Sequence, residues 1–331
     1  MFSFRNLIIV LFLALAYAEP LKVRDTRGIT QAELNQFELL AQYAGAAYCY
    51  DNIQNGTGNT VACTREGGYC PGVEALQTVI LDSFFDVGIT QTAGYVAIDR
   101  SHQLIIVSIQ GTSIASNPID ALTDLNIARS KTTLCGKANT VDGCLIHDGF
   151  WQAANDVLPI VETTINISLA MNPDFKIVTT GHSLGAAIAA LLGAKLRDDG
   201  HIVDMYTFGQ PSVGAVDVSN YIENQAPAQG NNYRVTHYND VVPQLPEHNL
   251  DWGTWDHYYP EFWISRQNGT VQASDMLVVT GRLYETGGNE GDKTGLGVVV
   301  DLIEGLPAHY VYFNPISGCD ANAPAAVASS G

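Results

Sequence analysis

Basic residues are scarce in this chain of 331 residues. It contains 16 lysines and arginines against 34 aspartates and glutamates, and its formal net charge is −18. Phosphate backbones and anionic membrane surfaces repel a protein with so little positive charge. The composition therefore excludes nucleic acid as a partner and is compatible with a neutral substrate, or with one that releases an anionic product.

Long apolar runs are also missing after the first residues. No later segment approaches the ~20 apolar residues that are needed to span a bilayer. Residues 1–18 combine Arg5, an apolar run and the small-residue sequence Ala16-Tyr17-Ala18. That combination is typical of a signal peptide and predicts a secreted, extracellular protein. The polar residues 19–27 are either a pro-segment clipped at an arginine or a disordered N-terminus. We expect residues 28–331 to form one domain, because repeats, low-complexity tracts and long linkers are absent.

The chain has no CxxC pair that would favour a metal site, and its six cysteines fit the disulfides of an exported protein. Close spacing predicts two pairs, and the third follows by elimination and joins the two ends of the chain. The predicted pairs are Cys63–Cys70, Cys135–Cys144 and Cys49–Cys319. Sequons predict candidate glycosylation sites on the surface at Asn55, Asn166 and Asn268.

Apolar strands alternate with helical segments along the chain, which predicts an α/β fold with a mostly parallel sheet. The segment "QLIIVSIQG" is apolar throughout and predicts a central strand. The first helix should begin at a capping box formed by Thr30 and Glu33. A strand "FKIVTTG" is followed by a predicted helix from Leu184 to Asp198.

The stretch "VTTGHSLGAA" lies where that strand becomes that helix, with Ser183 between Gly181 and Gly185. The glycines leave room for a tight turn, and the following helix directs its free N–H groups at the serine. This G-x-S-x-G pattern is typical of a nucleophile elbow, in which the serine attacks a carbonyl. A serine that only caps the helix is the alternative interpretation.

A serine nucleophile needs a base and a carboxylate that orients the base, and elbow enzymes carry them in the order Ser, Asp or Glu, His. Asp240 ends the strand "YRVTHYND" and is the predicted acid, because acidic triad members lie at such carboxyl ends. Asp204 stands at a strand start, which is the wrong end. Asp251 and Asp256 fall in an aromatic loop and are more typical of surface or capping groups.

Three histidines follow Asp240 as candidate bases. His248 lies close behind it in a polar loop, and His257 opens a strand-like run and fits a packing role. His309, in "GLPAHYVYF", lies near the end of the chain and is the predicted base.

An oxyanion hole needs two donors near the serine. The N–H of Leu184, directly after the nucleophile, is one candidate. The other is Thr112, which follows Gly111 at the carboxyl end of an early central strand. A threonine in an ordinary turn is the alternative interpretation of Thr112.

Several separated motifs together resemble the secreted filamentous-fungal triacylglycerol lipases, the class 3 lipases. They are "QGTS", "HDGFWQA", "VTTGHSLGAA", "RVTHYNDVVPQLP", "YPEFWI" and "LPAHYVYF". The resemblance extends from about Ile29 to Cys319 and implies an α/β-hydrolase fold with a short helical lid. It implies Ser183, Asp240 and His309 as the triad, Thr112 and Leu184 as the oxyanion hole, the same three disulfides, and no metal or organic cofactor. The family also contains feruloyl esterases.

In this family the segment after the oxyanion residue forms the lid, which here is residues 113–126. At 100° per residue its apolar side chains share one face, as in an amphipathic helix. The predicted lid and acyl-binding residues are Ile114, Pro118, Leu122 and Leu125. An ordinary surface helix is the alternative, and the segment lacks the tryptophan that is typical of lipase lids.

We therefore expect a lipase that cleaves neutral tri-, di- or monoacylglycerols through an acyl-enzyme on Ser183. Its partners would be a lipid–water interface and the neutral ester; the sequence implies no protein partner. A feruloyl-type esterase acting on plant cell-wall esters is one alternative. The other is an inactive hydrolase-fold protein that binds lipid or cell wall.

Overall fold

A computed structural model describes residues 28–112, 128–136, 144–246, 255–281, 287–289 and 298–320. Several sequence predictions fall outside this part of the chain. They are the signal peptide (1–18), the possible pro-segment (19–27), the lid residues Ile114, Pro118, Leu122 and Leu125, and the alternatives His248 and Asp251.

Helices form where apolar side chains recur at helical spacing. The first begins with the predicted capping box, in which the N–H of Glu33 donates to Thr30 Oγ1 (3.2 Å) and the N–H of Thr30 donates to Glu33 Oε2 (2.7 Å). In chain order the described helices are α1 (Gln31–Ala46), α2 (Tyr50–Ile53), α3 (Pro71–Leu76), α4 (Asp148–Met171), α5 (Leu184–Asp198), α6 (Val216–Gln225) and α7 (Val298–His309).

The strands are short and rich in β-branched and aromatic residues. In chain order they are β1 (Val79–Val87), β2 (Thr92–Asp99), β3 (Leu104–Ile109), β4 (Arg129–Lys131), β5 (Leu145–His147), β6 (Lys176–His182), β7 (Val203–Phe208), β8 (Gly214–Ala215), β9 (Asn232–His237), β10 (Trp255–Asp256), β11 (Glu261–Ile264), β12 (Met276–Val279), β13 (Val311–Tyr312) and β14 (Asn314–Pro315).

The main sheet has eight strands in the order β1-β2-β3-β6-β7-β9-β11-β12. Strands β3, β6, β7, β9 and β11 pair in parallel, which confirms the predicted mostly parallel sheet. Gly181 of β6 aligns with Ile109 of β3 and with Thr207 of β7. Because these strands end at one edge, called here the carboxyl edge, the residues that follow them come together there.

Each face of the sheet is covered by helices. Along β3, Ile105 and Val107 pack in the apolar layer under α4 and α5, whereas Leu104 and Ile106 pack in the layer under α1. Both faces of β3 are therefore buried, which explains why its sequence is apolar throughout. A smaller antiparallel sheet has the order β10-β8-β5-β4.

The three predicted disulfides are confirmed as Cys49–Cys319, Cys63–Cys70 and Cys135–Cys144. The first ties the chain after α1 to the residues after β14, across a sequence separation of 270. The described helices include none that combines the length and the apolar character needed to cross a membrane. The asparagines of the three sequons are exposed.

Candidate active site

Ser183 occupies the turn between β6 and α5 in a strained backbone conformation, with φ 59° and ψ −129°. A positive φ is unfavourable for a residue with a side chain and is often found at functional sites. The two glycines of the motif remove the side chains that would clash there. A Cβ at Gly181 would collide with the carbonyl of Gly185, and a Cβ at Gly185 would collide with the carbonyl of Ile109.

Asp240 and His309 form the hydrogen-bonded pair that the sequence predicted. His309 lies at the end of α7 and its Nδ1–H donates to Asp240 Oδ2 at 2.9 Å. Tyr312 donates its hydroxyl to the same oxygen at 2.5 Å, and the N–H of Val242 donates to Asp240 Oδ1 at 2.9 Å. Both members of the pair are buried. Because Nδ1 is bound, the proton-accepting atom left to His309 is Nε2.

Three backbone and ring contacts bring this pair to the serine. The N–H of Ser183 donates to the carbonyl of Phe208 at 2.9 Å. The next residue, Gly209, packs so closely on the pair that a Cβ there would lie 3.0 Å from the His309 ring and 3.1 Å from Asp240 Oδ2. His182, just before the serine, has its ring 4.4 Å from that of His309. These contacts place the Ser183 turn and the Asp240–His309 pair at the same edge of the sheet, the carboxyl edge.

Tyr312 was not predicted from the sequence, although it is bonded directly to Asp240. Burial, and secondly the nearby Asp240, raise the pKa of its hydroxyl well above the ordinary value, so it remains a proton donor. Asn289 was also missed: it is fully buried and its amide donates to the carbonyls of Tyr238 (3.0 Å) and Asp240 (2.8 Å). Contacts of this kind leave no spacing pattern in a sequence.

Thr112 and Leu184 line one cleft of about 680 Å³ at the carboxyl edge. Leu184 begins α5, so its N–H belongs to the helix turn whose donors have no partner within the helix. Thr112 follows the buried Gly111 and is itself exposed. Tyr50 and Phe85 stand at the outer end of the cleft with their rings 5.6 Å apart.

The rejected candidates occupy other places. The His257 ring lies in the core, where its Nε2 is 2.6 Å from the carbonyl oxygen of Pro243. Asp204 lies at the start of β7 and accepts the N–H of Asn231 at 2.7 Å. Of the two roles predicted for Asp256, a surface group or a capping group, the surface role is wrong, because the residue is 2% exposed and accepts the N–H of His257. Its place in the small sheet buries it.

A strand–serine–helix turn at the carboxyl edge of a mostly parallel sheet, with helices on both faces, makes this an α/β-hydrolase fold. The family model "Lipase (class 3)" matches residues 106–250, and the model "Lipase 3 N-terminal region" matches residues 8–81.

Named relatives extend the similarity over most of the chain. The secreted mono- and diacylglycerol lipase A of Penicillium camembertii is 36% identical over 302 residues, covering 91% of this chain and 90% of the relative. The secreted mono- and diacylglycerol lipase 1 of Fusarium solani is 32% identical, covering 91% and 83%. The crystal structure of the Aspergillus oryzae mono- and diacylglycerol lipase superposes with a TM-score of 0.75 at 33% identity, covering 88% of this chain and 99% of that one.

The chain belongs to the class 3 lipase family. It is a carboxylic ester hydrolase, and like the named relatives it is a secreted protein.

Proposed function

We propose that this lipase hydrolyses neutral acylglycerols with Ser183 as nucleophile, His309 as base and Asp240 as the acid that orients it. The observation that carries the assignment is the 2.9 Å hydrogen bond from His309 to Asp240 beside the strained Ser183 turn. Membership of the class 3 lipase family and the similarity to secreted lipases support ester hydrolysis as the reaction.

The proposed reaction has two stages, acylation of Ser183 and hydrolysis of the acyl-enzyme. Ser183 Oγ attacks the ester carbonyl carbon while its proton passes to His309 Nε2. The N–H groups of Thr112 and Leu184 stabilise the oxyanion, and loss of one such donor costs about 10²–10³ in turnover. The imidazolium then protonates the leaving alcohol, which leaves an acyl-enzyme. Water, deprotonated by His309, attacks the acyl carbon; the bond to Ser183 Oγ then breaks, His309 returns the proton to that oxygen, and the fatty acid is released.

The substrate class rests on charge and on similarity. The net charge of −18 disfavours anionic phospholipids and helps expel a fatty-acid anion. The Penicillium and Fusarium relatives are named for mono- and diacylglycerols, which favours partial glycerides as the preferred substrates here.

Contact with a lipid–water interface is supported by apolar side chains at the outer end of the cleft. Tyr50, Phe85 and the nearby turn residue Ile89 are 47%, 43% and 82% exposed. Transfer of each such side chain out of water contributes about 1.5–3 kcal/mol when complete. The predicted lid would add its apolar face to this surface.

The chain organisation completes the proposal. Residues 28–331 would form one hydrolase domain after removal of a signal peptide and a short pro-segment. Glycans at Asn55, Asn166 and Asn268 would then lie on the surface of the mature protein.

A rate comparison tests the function. We expect hydrolysis of mono- and diacylglycerol to exceed that of triacylglycerol, with phospholipid and methyl ferulate slow, and with a rate increase where the substrate forms an emulsion. Ile89→Ser should lower the emulsion rate, whereas Ile202→Ser, 69% exposed at the opposite edge of the sheet, should not. Methyl ferulate as the best substrate, without a rate increase at emulsion onset, would establish the feruloyl esterase alternative.

A further inference from the structure

The helix that carries His309 ends inside the protein. The last carbonyls of an α-helix have no partner within the helix and need donors from elsewhere. Here two buried histidines lie against them. The carbonyl of His309 is 2.8 Å from His182 Nε2, and the carbonyl of Ala308 is 2.9 Å from His237 Nδ1. His237 Nε2 lies 2.9 Å from the carbonyl of Arg266, so this ring stands between the helix end and the segment after β11. His182 and His237 are called the clamp histidines below.

The clamp histidines come from the strands that present the other two members of the triad. His182 is the last residue of β6 and directly precedes Ser183. His237 is the last residue of β9 and lies three positions before Asp240. The two strands therefore position the nucleophile and the acid, and the same strand ends hold the helix end that carries the base.

The hydrogen-bond partners determine the protonation of His182. A carbonyl only accepts, so Nε2 carries the hydrogen, and Nδ1 accepts from the hydroxyl of Tyr48 at 2.8 Å. Burial, and secondly the neighbouring His309, lower the pKa of His182 well below its ordinary value. A neutral ring at this place leaves His309 free to take up a proton, because a second positive charge so near would oppose that step.

Tyr48 also touches the loop that precedes Thr112. A Cβ at Gly111 would collide with the Tyr48 hydroxyl oxygen and with the carbonyl of His182. The buried hydroxyl of Tyr48 therefore packs against Gly111, next to the predicted oxyanion residue, and also bonds the ring of His182, which contacts the helix end that carries His309.

We propose that His182 and His237 are positioning residues, which hold the end of α7 so that the His309 imidazole faces Ser183, and that Tyr48 fixes the tautomer of His182. The inference rests on the proposed function, since it needs His309 to be the base. Neither clamp histidine touches substrate in this role. Misplacement of a catalytic group by about 1 Å can cost about 10²-fold in rate, so two hydrogen bonds at the helix end are enough to matter.

The test compares variants with and without a donor at these sites, on a soluble short-chain ester such as p-nitrophenyl butyrate. His182→Leu and His237→Leu should lower kcat by about 10- to 100-fold with KM nearly unchanged. His182→Gln and His237→Asn place an amide N–H near the lost ring N–H and should restore most of kcat. Tyr48→Phe should lower kcat in the same direction by a smaller factor.

Tyr43→Phe is the matched control. Tyr43 lies on α1, and its hydroxyl is buried like that of Tyr48. It bonds Thr78 (2.6 Å) and Asp99 (3.1 Å) at the edge of the sheet opposite the carboxyl edge. We expect this variant to lose thermal stability and keep kcat.

The proposal is overturned if the folded leucine variants keep wild-type kcat, or if the amide variants lose kcat as the leucine variants do. If the leucine variants do not fold, wild-type kcat in Tyr48→Phe overturns it. Ser183→Ala, run in the same assay, separates the two claims. Activity remaining in Ser183→Ala refutes the proposed function itself. If Ser183→Ala is inactive and the clamp variants keep full activity, only the proposed positioning role is refuted.

Discussion

Gly185 shows at the scale of one residue why the elbow motif has its spacing. The motif places it on the first turn of α5, where that turn meets the end of β3. A Cβ there would lie within 2.7 Å of the carbonyl of Gln110 and closer still to that of Ile109. These are backbone atoms in a buried sheet, and they cannot move aside as a flexible side chain could.

Gly185→Ala is therefore expected to destabilise the protein by about 1–3 kcal/mol, the cost of forcing an extra methyl group into a packed interior. Urea unfolding with a fitted slope measures the loss. Gly149→Ala is the matched control, because its Cβ would meet only the His147 ring at an ordinary 3.5 Å. Equal stability of the two variants would show that the elbow can relax around a side chain.

The residues that the sequence predicted are those whose chemistry leaves a local pattern. Ser183 has glycines at fixed offsets, and Asp240 follows a recognisable strand. His182 and His237 form hydrogen bonds to carbonyls, and Tyr312 forms one to a carboxylate, with partners that are distant in the chain. Such bonds depend on how strands and helices meet, so no spacing rule predicts them.

At the scale of elements, α4 begins at a histidine that caps it. The N–H of Phe150 donates to His147 Nδ1 at 3.2 Å, and the two rings stack with centroids 3.6 Å apart. Burial lowers the pKa of His147 to about 4, and Asp148 offsets this only in part. The cap thus requires the neutral ring, because a protonated Nδ1 could not accept the hydrogen bond.

This cap makes stability depend on pH. The unfolded chain protonates His147 near its ordinary value of 6.5, but the folded protein does so only near a pKa of 4. Between these values the unfolded state binds more protons, so the free energy of unfolding should fall as the pH drops from 6.5 towards 4. Over the whole interval the loss amounts to about 3 kcal/mol.

His147→Asn keeps an acceptor at the cap and removes the titration. Urea unfolding across the same pH range should show a weaker pH dependence than the wild type. Parallel curves for the two proteins would mean that other groups cause the acid sensitivity.

The sequence predicted α1 from its capping box and apolar spacing, and α5 as the helix that follows the strand "FKIVTTG", but it did not predict α7. Pro307 lies inside α7, and proline usually argues against a helix interior. The hydrogen bonds at the end of α7 come from β6 and β9. Because these strands are distant from α7 in the chain, local sequence patterns do not predict the bonds.

At the scale of the whole molecule, the mostly parallel sheet brings residues that are distant in the chain to one edge. The alternation of strands and helices predicted this sheet, because parallel strands need crossover segments. The order of the strands and the small second sheet were not predicted, since pairing between distant segments depends on tertiary packing. The −18 charge concerns the choice of partners and substrates and carries no information on strand order.

The most direct test of the central claim is covalent labelling with a serine-directed phosphonate ester, followed by intact mass and peptide mapping. We expect one adduct per chain on Ser183, no adduct in Ser183→Ala, and labelling of folded His309→Ala slowed by at least about 10³-fold. Labelling of folded Ser183→Ala at the wild-type rate, or a folded wild-type protein that takes up no label, would contradict it.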